Sequence, residues 1–164
     1  IQNYLNNIHH FLIMPKTISK DIPLSEITLR RYEKPYTASK RDLTRKLCLS
    51  VGLLQPGDSR DIIVDVFQVL MKNKKDKLLM NSEEIRDQVI QNRKKYKLPL
   101  KGVASSNVRR QLKRLKDIHI IENIKTDYRI TEFQDLNEIF EKRIKNFHLN
   151  NILERVEEYF KALK

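Results

Sequence analysis

From Ser39 onward apolar residues recur at helical spacing. Leu43, Leu47, Val51 and Leu54 make one stripe, with Lys40, Arg41, Arg45 and Lys46 off it, which predicts an amphipathic helix stopped by the turn Gln55-Pro56-Gly57. Asp58 or Ser59 is then the expected cap of a second helix. Its apolar positions Ile62, Ile63, Val66, Phe67, Val69 and Leu70 wrap broadly enough to be mostly buried, and it runs out in the charged stretch 73–77, expected as a solvated loop. Asn81 with Glu84 three residues on is a capping pair that opens a helix from Ser82 to Tyr96, and Pro99 and Gly102 close that segment. Ser105 is the expected cap of a fourth helix, in which Val108, Leu112 and Leu115 form a narrow apolar stripe.

The period then changes to two. Ile120 to Ile124 and Tyr128 to Thr131 read as strands around a Lys125-Thr126-Asp127 turn. Thr131 and Gln134 form a second capping pair, before a helix carrying Leu136, Ile139, Phe140 and Phe147. Leu149, Ile152, Val156, Tyr159 and Leu163 follow at alternating steps of three and four, the spacing of a helix-packing seam. Ahead of Ser39, Pro23 and Pro35 break any long helix and leave an arm with one short strand around Ile27 to Tyr32. The chain is therefore expected to be mainly α with a small β-hairpin. It divides into an arm and amphipathic helix (1–57), a helical unit closed by the hairpin (58–132), and C-terminal helices (133–164).

Charge changes this picture most. A chain of 164 residues with a formal net charge of +12 points to a polyanion partner, most simply nucleic acid and less simply an anionic membrane surface. The excess is local. Gln91 to Lys116 holds ten Lys or Arg and no Asp or Glu, whereas 132–164 holds seven acidic and six basic residues. Ordinary solvated helices mix signs, because opposite charges four apart stabilise them and like charges repel.

Other chemistry is sparse. The single cysteine, Cys48, forms no disulfide framework and fits a reducing, cytoplasmic setting. His9, His10, His119, His148 and Cys48 have no metal-ligand spacing, so no metal or cofactor is expected. Only three glycines occur, none in a phosphate-cradling loop, and Gly57-Asp58-Ser59 lacks the flanking glycine of a nucleophile elbow, so an enzyme is not expected. No apolar run is long enough to span a membrane. The uncharged start, residues 1–14, has the apolarity of a signal peptide without its basic region or cleavage site, and Met14 offers an alternative start. No aromatic stacking motif for RNA is present.

With Val108 at the centre of the buried face of the fourth helix, Ser106, Arg110 and Lys113 project opposite the core. Asn107 and Arg114 lie on one flank, Arg109 and Lys116 on the other, and Asp117 points outward at the far end. The capped helix Ser82 to Tyr96, the turn Leu100 to Ala104, the basic helix SSNVRRQLKRLKD and the hairpin IIENIKTDYRIT together resemble a winged helix-turn-helix domain. Over about residues 58–132 the chain looks like an archaeal winged-helix transcriptional regulator.

That resemblance implies double-stranded DNA as partner, with the basic helix 106–117 in the major groove. Ser106, Asn107 and Arg110 would read bases. Arg93, Lys94, Lys95, Lys101, Arg109, Lys113, Arg114 and Lys125 would meet the backbone, Lys125 alone at the wing tip. His119 stands where the family usually has glycine and is expected to terminate the helix rather than act as a ligand. The seam of Leu149, Ile152, Val156, Tyr159 and Leu163 either packs back on the domain or forms a homodimer interface, the reading favoured for a helix-turn-helix protein. The competing function is a winged-helix interaction or architectural module of a transcription or replication assembly, without base-specific reading.

Overall fold

The computed structural model describes residues 21–35 and 39–164. The uncharged start, Met14, His9 and His10 lie outside them. Four helices follow one another, α1 (Lys40–Ser50), α2 (Ile62–Lys74), α3 (Ser82–Lys95) and α4 (Ser105–Asp117). Strands β1 (Ile121–Ile124) and β2 (Asp127–Ile130) then pair as one antiparallel hairpin, Ile121 opposite Ile130 and Ile124 opposite Asp127. After a short 3-10 turn (Thr131–Phe133) the chain ends as α5 (Leu136–Ile139), a π-helical stretch (Phe140–Leu149) and α6 (Asn150–Ala162). Helical backbone at both junctions makes these one unbroken rod rather than two helices. Among the described residues no helix is long and apolar enough to cross a membrane.

The breadth of the apolar surface on α2 has its reason in its neighbours, since α1, α3, α4 and β2 all pack against it. Ile62, Ile63, Phe67 and Val69 are each at most 2 % exposed, and each such side chain contributes about 1.5–3 kcal/mol relative to remaining in water. Val89 and Ile85 from α3, Val108, Leu112 and Leu115 from α4, and Ile121 and Ile130 from the hairpin complete the same core. Met80, between α2 and α3, exchanges backbone hydrogen bonds with Tyr128 and so extends the hairpin by one bridge.

The capping pair Asn81–Glu84 forms in both directions, the Asn81 side chain accepting from the Glu84 amide at 3.0 Å and the Glu84 carboxylate from the Asn81 amide at 2.8 Å. Other boundaries differ from the sequence expectation. Helix α2 starts at Ile62 behind Asp61, not behind Asp58 or Ser59, and Asp61 makes no cap bond because its carboxylate accepts from Arg41, Arg93 and Arg45 at 2.8, 3.2 and 3.3 Å. Its C-terminal end runs to Lys74 because Asn73 is buried, donating to the Val69 carbonyl and the Gln88 side chain. Ser105 is the first residue of α4 rather than its cap, its hydroxyl hydrogen-bonded to Glu83 at 2.9 Å.

No capping pair forms at Thr131 and Gln134. The Thr131 hydroxyl donates instead to the His119 carbonyl at 2.8 Å. The arm forms no strand around Ile27 to Tyr32. It is pinned by Arg30, whose amide donates to Ser50 and whose guanidinium donates to the carbonyls of Leu49 and Leu54, where a cation meets the negative end of α1.

Candidate nucleic-acid interface

Helix α4 is held from beneath by Val108, Leu112 and Leu115, all fully buried, and by Gln111. This packing leaves Ser106, Arg109, Arg110, Lys113 and Lys116 exposed on its outer face. The segment that delivers α4 runs back along α3. Arg93 donates to the Pro99 carbonyl at 2.7 Å, Arg86 to that of Val103 at 2.8 Å, and Glu83 receives Ser105, so α4 begins beside the first turn of α3. Gly102 lies on this path at φ +91°, and a Cβ there would stand 3.1 Å from Ile62 Cγ1.

The expected base-reading residues lie together at the start of α4. Ser106 and Arg110 are exposed, but Asn107 is half-buried and committed. Its amide nitrogen donates to the Gly102 carbonyl at 2.6 Å, and its oxygen accepts from Arg110 at 2.8 Å and Gln111 at 3.0 Å. A bidentate pairing of Asn107 with adenine is therefore not available in this geometry. The residue positions Arg110 instead.

Among the expected backbone contacts, Lys94, Lys95, Lys101 and Lys125 are exposed. Arg109 meets Glu83 at 3.1 Å and Lys113 meets Asp117 at 2.9 Å, exposed pairs of the kind that contribute little and exchange readily. Arg114 is half-buried and turned toward Gln111 and the Gly52 carbonyl, which makes it a brace for the arm side of the fold. Arg93 is not a surface cation at all. Only 4 % exposed, it binds Asp65 and Asp61 at the junction of α1, α2 and α3, where no phosphate reaches it.

One cation was missed. Arg60, in the turn before α2, joins Lys101, Arg110 and Arg114 around a cleft of about 540 Å³ beside α4, with Asp58 as the carboxylate of that lining. A helix start at Asp58 or Ser59 hides Arg60 as an ordinary helical residue. The later start, enforced by the use of Asp61 in ion pairs, puts it at the rim of the cleft.

The seam residues stand apart from this face. Leu149 and Ile152 are half-buried, while Val156, Tyr159 and Leu163 are 45, 68 and 88 % exposed, and α6 has no buried residue. Packing of this seam back onto the helical core is thus not observed. Comparison of the chain with family models, with curated proteins and with solved structures finds no match.

Proposed function

We propose that the protein binds double-stranded DNA as a dimeric transcriptional regulator of winged helix-turn-helix type, with α4 as the helix that enters the major groove. The observation that carries this reading is the outer face of α4, where Ser106, Arg110 and Lys113 project together beside a cleft ringed by Arg60 and Lys101. Arginine matches the paired acceptors of guanine, and Arg110 is steadied for that contact by Asn107. The flanking cations would neutralise phosphates and set position. The hairpin directly after α4, the Met80 bridge to it and the shared core of α2, α3 and α4 support the winged layout.

The test is binding to random and genomic duplex DNA over a salt series, with sequencing of the fraction retained at the highest salt that still holds complex. Enrichment of a two-fold motif is the expected result. Salt-sensitive binding without enrichment would replace base reading by an architectural or assembly role, in which the basic face supplies attachment alone. Absence of duplex binding at low salt would remove DNA as the partner.

A further inference from the structure

A groove of about 810 Å³ lies between the arm, the C-terminal end of α4 and the terminal rod, and its size is that of a small-molecule site. Ile27 of the arm, Val51 after α1 and Ile118 after α4 supply apolar lining. Arg143 and His148 face it from the π-helical stretch. They are five residues apart, and hydrogen bonding from each residue to the fifth along brings such a pair onto one face, where α-helical winding would turn them about 140° apart. The His148 ring stands 5.5 Å from that of His119, and its Nε2 is 3.0 Å from the Glu26 carbonyl, which ties arm to rod across the groove.

Cationic side chains and imidazoles gather here. Lys116, His119, Arg143 and His148 all line the groove. The acids that line it are partly spent elsewhere, Asp117 on Lys113 at 2.9 Å and Glu122 on Arg129 at 2.7 Å, with Glu26 on the exposed arm. Arg143 meets Glu132 at 2.9 Å on a half-exposed edge, while Lys116 forms no ion pair among the described residues. Burial first, and then His148 and Arg143, hold His119 below its usual protonation range, with Asp117 opposing them.

We infer that this groove binds a small organic anion, its acidic group seated among Lys116, His119, Arg143 and His148 and its apolar body against Ile27, Val51 and Ile118. The site does not depend on the DNA reading. The probe is 8-anilinonaphthalene-1-sulfonate, an apolar body with one anionic group, compared with its uncharged relative N-phenyl-1-naphthylamine on the full chain. The sulfonate should bind saturably, shift the imidazole resonances of His119 and His148, and lose about tenfold or more in affinity in the Lys116→Gln/Arg143→Gln double variant, as expected for lost charge-assisted contacts. The uncharged dye should bind more weakly and ignore that variant. Val156→Asp on the exposed face of α6 should leave sulfonate binding in place. Should the double variant fail to fold by circular dichroism, Lys116→Gln alone carries the test. No saturable binding, equal binding of the two dyes, or loss through Val156→Asp alone would overturn the assignment.

Discussion

Asp65 is 3 % exposed, and the guanidinium groups of Arg41 and Arg93 both close on its carboxylate. Burial pushes the neighbouring Asp61 carboxyl up, but Arg41 and Arg93 more than reverse this and hold it below the usual carboxylate range. The network links α1, α2 and α3, and removing one member leaves cations without their partner in a dry site. Asp65→Ala is expected to cost about 3–5 kcal/mol in urea unfolding, and a loss below about 1 kcal/mol would show that Asp61 alone satisfies the arginines. On the exposed side the effects separate differently. Arg110→Ala should cost about 1–3 kcal/mol at one base position and relax preference there, while Lys113→Ala weakens all duplexes alike and lowers the salt slope by about one. Equal losses for Arg110→Ala on every sequence would remove its reading role. Arg93 and Lys94 look alike as charge, yet Ile85, Val89 and Arg93 step by four along α3, so the inward direction of Arg93 was legible from its stripe. The commitment of Asn107 to Gly102 was not, because it depends on a loop carbonyl whose place no local pattern sets.

Three helices end in the same way. Lys77, Lys97 and His119 sit at φ +52°, +52° and +62°, each amide donating three residues back while the next residue donates five back, as Lys97 to Lys94 and Leu98 to Arg93. Glycine is the residue best suited to that conformation, and the chain uses its three elsewhere. Lys97→Gly should therefore raise stability by about 0.5–1 kcal/mol, read from the shift of a denaturation midpoint. A fall would mean that the Lys97 side chain contributes more than its backbone costs. The expectation that His119 terminates α4 holds, but its ring also packs edge-on to Phe147 and His148. Because its charged form is disfavoured in the fold, first by burial and then by His148 and Arg143 with Asp117 opposing, the unfolded chain takes the proton more readily. Stability is then full above the ordinary histidine range and falls as pH drops through it. A urea midpoint that declines from pH 7 to about 5.5, and declines less in His119→Asn, is the expected result; parallel declines would move the effect to another group. Helix existence was legible from periodicity, and the Asn81–Glu84 cap from two local residues. Thr131 and Asp61 failed as caps because their oxygens are claimed by groups 12 to 32 residues away, a competition that spacing cannot reveal.

At the scale of the whole molecule, α6 is the element without a partner among the described residues. Leu149, Ile152, Val156, Tyr159 and Leu163 form the expected seam, and Leu153 and Phe160 add a third apolar column, 55 and 73 % exposed. A stripe of that width suits packing against more than one helix, where a two-stranded coiled coil uses only two columns. A second copy would supply such a surface, since a two-fold axis would present both its α6 and its Phe147, itself 55 % exposed. The rod also carries balanced charge, five acids against five bases over 136–162, so two copies would approach here without the repulsion that the basic face would impose. The chain should therefore sediment as a dimer at micromolar concentration, and Val156→Asp with Phe160→Asp should give a folded monomer. On DNA that monomer should retain contact with a single half-site and lose about 10²-fold or more on a two-fold site, because the second contact no longer forms within one complex. A wild-type chain that sediments as a monomer, or a double variant that binds two-fold sites undiminished, would leave α6 to a different protein and make each basic face act alone.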